Sequence, residues 1–130
     1  MKTNLLTIAL VALILAGPTF AEDRFEDNKV KNLITGIKSE NTGLKKSSIY
    51  NAGYYKIVEA EDALIEELKN DNPEDVKVLI ALSLYKIGTE KCMNVIKNYA
   101  VDGKDTKVNR VCAAICTELL NQNPVTVGTK

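Results

Sequence analysis

Histidine is absent from all 130 residues. That removes the side chain most often used as a general base near neutral pH, and it excludes Ser-His-Asp and Cys-His catalytic arrangements. It also removes the commonest nitrogen ligand for zinc, and the three cysteines, Cys92, Cys112 and Cys116, contain no CxxC pair. A structural zinc site is therefore unsupported, and no cofactor is expected. An excess of either charge is missing too, since 17 basic residues face 17 acidic ones. Binding to nucleic acid needs Lys and Arg in surplus on one surface, so nucleic acid is not an expected partner. No second long apolar run follows the first 21 residues, so no stable membrane insertion is expected of the remainder.

The chain does carry a start with the layout of an export signal. Met1 to Ala21 reads MKTNLLTIALVALILAGPTFA, with one lysine, an apolar run from Leu5 to Ala16, and then Gly17-Pro18 before a small residue. A charged n-region, an apolar h-region and a small-residue cleavage site in that order mark a secretory signal peptide. The run is too short for a membrane anchor, which needs about 20 apolar residues. Cleavage is expected after Ala21, leaving residues 22–130, almost neutral, in a periplasmic or extracellular setting. No cysteine lies near the site to carry a lipid.

The chain repeats itself at an offset of 32 residues. Leu44, Val76 and Val108 coincide, as do Ala52, Leu84 and Cys116, and then Tyr55, Ile87 and Leu119. Rows Ser47/Leu79/Val111 and Ser48/Ile80/Cys112 are apolar in the second and third copies. The same offset aligns Ala60 with Cys92, Ala63 with Val95, Leu64 with Ile96 and Leu68 with Ala100. One register serving two consecutive helices describes a unit of helix A, turn and helix B that buries its apolar faces against the next unit.

Punctuation along the chain places the helices. Residues 22–38 predict a lone capping helix with Val30, Leu33, Ile34 and Ile37 at helical spacing. Helix A1 is expected at 43–56 and helix B1 at 58–70, with Glu59, Glu61 and Asp62 in its first turn and Lys69 in its last, as the helix dipole favours. Asn72 is read as the N-cap of A2, with Pro73 at its first position and Gly88 closing it. Thr89 opens B2, which ends near Ala100, and A3 follows at 106–121. A2 is so apolar around its circumference that other helices must surround it. Residues 122–130 have no helical period and are read as a tail, disordered or with Val125 and Val127 folded back over A3.

Asn41-Thr42-Gly43-Leu44 with Ser47 to Gly53, and Asp75-Val76-Lys77 running on to Ala81-Leu82-Ser83-Leu84-Tyr85-Lys86-Ile87-Gly88, resemble HEAT repeats, most closely the small single-domain HEAT-repeat proteins of bacteria. The resemblance covers residues 40–120. It departs at Asn109, where the earlier copies have Lys45 and Lys77, and the third copy lacks a helix B. It implies an all-α fold, a short α-solenoid of two to three helix pairs over residues 22–121 behind a capping helix. It implies an interaction surface more than chemistry. Some HEAT-like proteins are lyases of pigment attachment, but no catalytic motif of theirs stands here.

Candidate sites are few. Cys112 and Cys116 share a helix face in poor geometry for a disulfide, and their alignment with Ile80 and Leu84 makes them replacements of core residues. A bridge from Cys92 to either of them, or a redox or metal-capture role for the three, remains open in an oxidising compartment. Glu59, Asp62 and Glu66 share a helix face and read as solvated surface. Lys45 and Lys77, at equivalent positions, are read as covering the outside of the A helices or binding an anion. Tyr55 falls in a core row, whereas Tyr50, Tyr54, Tyr85 and Tyr99 do not all fit the core stripe; packing of their rings between A helices is the expected role, with partner contact as the alternative. The expected function is a non-enzymatic interaction or scaffold module of the cell envelope, which takes a protein or peptide or self-associates through the open ends of the stack.

Overall fold

The computed structural model describes residues 19–123 apart from 103 and 105, with side chains from residue 26 onward. Six α-helices, and no strand among the described residues, run in the order α1 (Thr19–Ile37), α2 (Thr42–Tyr54), α3 (Glu61–Lys69), α4 (Glu74–Ile87), α5 (Glu90–Val101) and α6 (Lys107–Gln122). None of the described helices is long and apolar enough to cross a membrane. The body of the expected leader and the tail with Val125 and Val127 lie outside the described residues, and the expected cleavage after Ala21 falls within the first turn of α1.

The helix starts follow local chemistry. Asn41, Thr89 and Thr106 sit in extended backbone and accept hydrogen bonds from the Leu44, Cys92 and Asn109 amides, capping α2, α5 and α6. Two boundaries differ from the expectation. Val58–Ala60 forms a separate 3₁₀ turn before α3, with the Ala60 amide donating to the Ile57 carbonyl. At α4 the cap is Pro73 instead of Asn72. The Asn72 side chain is engaged elsewhere: it donates to the Glu67 backbone and carboxylate.

The helix ends reproduce the 32-residue register in the backbone. Gly88 closes α4 in the left-handed region, with φ of 74°. Thirty-two positions earlier Lys56 takes the same region, with φ of 53°, the one non-glycine residue there among those described. Both bonds of a Schellman motif close α2, with the Ile57 amide donating to the Ala52 carbonyl at 2.9 Å and the Lys56 amide to the Gly53 carbonyl at 3.2 Å.

Helix α4 is the centre of the packing: it touches α2, α3, α5 and α6. The rows Ser48/Ile80/Cys112, Ala60/Cys92 and Leu64/Ile96 are buried throughout, as the repeat predicts. Each fully buried Ile or Leu contributes about 2–3 kcal/mol. Helices α2 and α4 cross so closely at Gly53 that a methyl group there would stand 2.7 Å from the Ser83 Cα. The Ser83 hydroxyl donates to the Ile49 carbonyl across the same contact, at 2.9 Å.

The first copy departs from its expected rows at both ends. Leu44 is 52% exposed, whereas Val76 and Val108 are buried. The inward stripe of α2 runs through Lys45, Ser48, Ile49, Ala52 and Gly53, so the helix turns Lys45 inward and Leu44 to its flank. Tyr55, expected in a core row with Ile87 and Leu119, is exposed, because α2 has already ended when the chain reaches it.

Candidate functional site

Three places gather the residues with chemical potential. The first is a polar knot inside the first helix pair. The Lys45 ammonium lies 2.8 Å from the Glu67 carboxylate and 2.9 Å from the Asn72 side-chain oxygen. Asn72 returns a donor to the same carboxylate at 2.9 Å, and Asn70 donates to its other oxygen at 3.1 Å. The Lys45 and Glu67 side chains are only 11% and 7% exposed. Burial alone would push the Glu67 carboxyl up, but the donors from Lys45 and Asn72, the lysine charge and Asn70 together hold it below the usual carboxylate range. Lys45 therefore is not part of an outer interaction surface. Its ammonium is a structural donor inside the molecule.

The second place is the loop end of the second pair. A cleft of about 410 Å³ is lined by residues including Lys69, Lys77, Tyr99, Asp102 and Asn109. Lys77 is half-buried along it. The Tyr99 ring packs against the core and its hydroxyl donates to the Leu68 carbonyl at 3.3 Å. Burial pushes that phenol up, so it stays protonated at neutral pH. Asn109 donates to the Tyr99 carbonyl and ties the start of α6 to the end of α5.

The third is an aromatic cluster at the end of α2. Tyr50, Tyr54 and Tyr55 are 50%, 57% and 67% exposed. Their rings nevertheless rest on one another: Tyr50 and Tyr54 stack with centroids 5.8 Å apart, and Tyr54 meets Tyr55 edge-on at 4.9 Å. Tyr55 also borders a groove of about 710 Å³ between residues 26–33 of α1 and the turn after α2. Of the four tyrosines weighed between packing and partner contact, Tyr50 and Tyr54 are exposed, whereas Tyr85 and Tyr99 are half-buried against the core.

The cysteines do not form a reactive centre. All three thiols are free; Cys92 and Cys112 are buried and Cys116 half-buried. Burial raises both buried thiols, that of Cys112 to about 11 with the nearby Cys116 adding to the effect. The Cys92 sulfur also lies 3.6 Å from the Glu61 carboxylate, which opposes formation of a thiolate. Among the described residues no group of three or more His, Cys, Asp or Glu is placed to hold a metal. The carboxylates Glu59, Asp62 and Glu66 do not converge either: Asp62 pairs with Lys91 and Glu66 with Lys38, all exposed, and such pairs contribute little. The acid of consequence, Glu67, sits beside Glu66 and was hidden from the sequence reading by its partner, which is 22 positions away.

No protein-family profile, curated protein or solved structure matches this chain.

Proposed function

We propose that this chain is a non-enzymatic interaction module, a short HEAT-like solenoid that works in the cell envelope after export and takes a protein or peptide on its tyrosine-bearing face. The observation that carries this reading is the Tyr50, Tyr54 and Tyr55 cluster. Its rings are exposed yet already held against one another, so less side-chain freedom is lost when a partner covers them. Tyrosine gives such a surface apolar area and a polar tip together. The left-handed turns at Lys56 and Gly88, 32 residues apart, support the repeat on which the solenoid reading rests. Nothing favours a thiol-based role, since Cys92 and Cys112 are buried and resist ionisation.

The test is retention of partners from envelope extract by the wild type and by a triple variant, Tyr50→Ser, Tyr54→Ser and Tyr55→Ser, with helicity and sedimentation followed for both. The expected result is a partner, or a second copy, bound by the wild type and lost by a folded variant. A wild-type protein that stays monomeric and retains nothing, or a variant that retains the same partner, overturns the reading.

A further inference from the structure

The two helix pairs can be compared position by position, and the comparison exposes an unmatched charge. In the first pair, Lys45 meets the carboxylate of Glu67 and the side chain of Asn72. Shifted by 32, these three positions are Lys77, Tyr99 and Lys104. The lysine is retained, but the carboxylate has become a phenol that is turned to the Leu68 carbonyl. In place of the filled polar knot the second pair has the cleft of about 410 Å³.

The acids along that cleft are already engaged. The Glu74 carboxylate accepts from the Lys107 amide, and Asp102 pairs with Lys104 at 3.2 Å. The side-chain ammonium groups of Lys69 and Lys77 have neither a hydrogen bond nor an ion pair among the described residues. Its described lining holds the ammonium groups of Lys69, Lys77 and Lys104 against the carboxylates of Glu74 and Asp102, a surplus of one positive charge, and Lys77 has no acid bonded to it where Lys45 has Glu67.

We infer that this cleft binds a carboxylate from outside the chain, which stands toward Lys77 as Glu67 stands toward Lys45. Charge-assisted bonds to an ammonium are among the stronger polar contacts, and the partly enclosed position of Lys77 limits the screening that weakens surface pairs. The carboxylate is that of a peptide, either its C-terminus or a Glu side chain. This deepens the proposed function by naming a partner's chemistry. It stands on different residues from the tyrosine face, so a tyrosine variant that loses its partner while carboxylate binding persists retires that reading alone.

The test is an NMR titration of the ¹⁵N-labelled protein that follows the amides of Lys77, Tyr99 and Asn109. N-acetylglycine serves as a mimic of a chain terminus, N-acetylglutamic acid α-amide as a mimic of a Glu side chain, and N-acetylglycinamide as the uncharged control. Saturable shifts with a carboxylate and none with the control are expected, and the tighter carboxylate identifies the source. Lys77→Met should weaken binding by about tenfold, the worth of one charge-assisted bond, while Lys46→Met leaves it unchanged. Shifts that stay linear, equal binding of the control, or a Lys77→Met protein that binds like the wild type would overturn the inference.

Discussion

The first helix pair and the second are built on one register, yet they solve the same place differently. In the first, the lysine at position 45 is drawn inside and neutralised by Glu67, with Asn72 accepting from its ammonium and Asn70 donating to the Glu67 carboxylate. In the second, Lys77 remains along an open cleft, and Tyr99 supplies apolar packing where Glu67 supplies charge. The first pair is thereby locked by polar contacts at its loop end, and the second by its apolar rows, with Ile80, Leu84 and Ile96 fully buried where the first copy has Ser48, Ala52 and Leu64. A repeat can hold its backbone constant while it exchanges the means of holding it together.

The sharpest way to break this comparison is to remove Glu67. Glu67→Leu strands the Lys45 ammonium in a nearly closed site, and denaturant unfolding should show a loss of about 3–5 kcal/mol. Lys45→Met should cost about as much, because it leaves the carboxylate behind. The double variant should recover most of the loss, since the pair also had to be desolvated. Lys77→Met, at the equivalent place, should change stability by less than about 0.5 kcal/mol. If the two lysine variants cost the same, the first knot is no anchor. The pH dependence follows from the same group. Because the folded-state carboxyl of Glu67 titrates below its unfolded value, its contribution is present above the unfolded pKa of about 4.3 and is lost as pH falls through the folded value. The Glu67→Gln protein should lack that part of the acid transition.

Next in size is the crossing of α2 and α4. Gly53→Ala would put a methyl group against the Ser83 backbone, which cannot rotate aside as a side-chain end could, so the helices must part. A loss of about 2–3 kcal/mol, measured by thermal or urea unfolding, is the expected cost of such overpacking. A neutral substitution would mean that the helices slide apart freely and that the first pair is held by its polar knot alone.

The legibility of these features divides along physical lines. The helices, the Thr89 cap and the left-handed turn at Gly88 were readable because each depends on residues within one turn of chain. The buried rows were readable wherever an apolar residue occupied them. Lys45 was not, because a period of apolar residues assigns every lysine to the outside, and what reverses the assignment is an acid 22 positions along the chain on another helix. Asn72 was misplaced for a related reason: its short polar side chain suits a cap and suits a buried carboxylate equally, and the stronger partner took it. The aromatic cluster was half visible. Tyr50 and Tyr54 fell off the core stripe, but Tyr55 was assigned to the core by an alignment that could not register that α2 ends one residue before it.

The smallest effect sharpens the comparison most cleanly, because it concerns the backbone alone. Lys56 and Gly88 occupy the same left-handed region one register apart, and for a residue with a side chain that region costs about 1 kcal/mol. Lys56 is exposed and its ammonium makes no ion pair among the described residues, so Lys56→Gly removes the penalty without removing a contact. The gain should be about 0.5–1 kcal/mol, reduced by the greater freedom of glycine in the unfolded chain. Gly88→Ala should lose a similar amount at the equivalent turn, since the nearest atoms to an added methyl there are carbonyl oxygens no closer than 3.5 Å and only the dihedral is at stake. Opposite signs of similar size in urea unfolding would place both turns under one backbone requirement, imposed by the way each A helix hands the chain to its B helix. Equal signs would mean that the first turn tolerates its lysine by relaxing, and that the register ends at the backbone of the second pair.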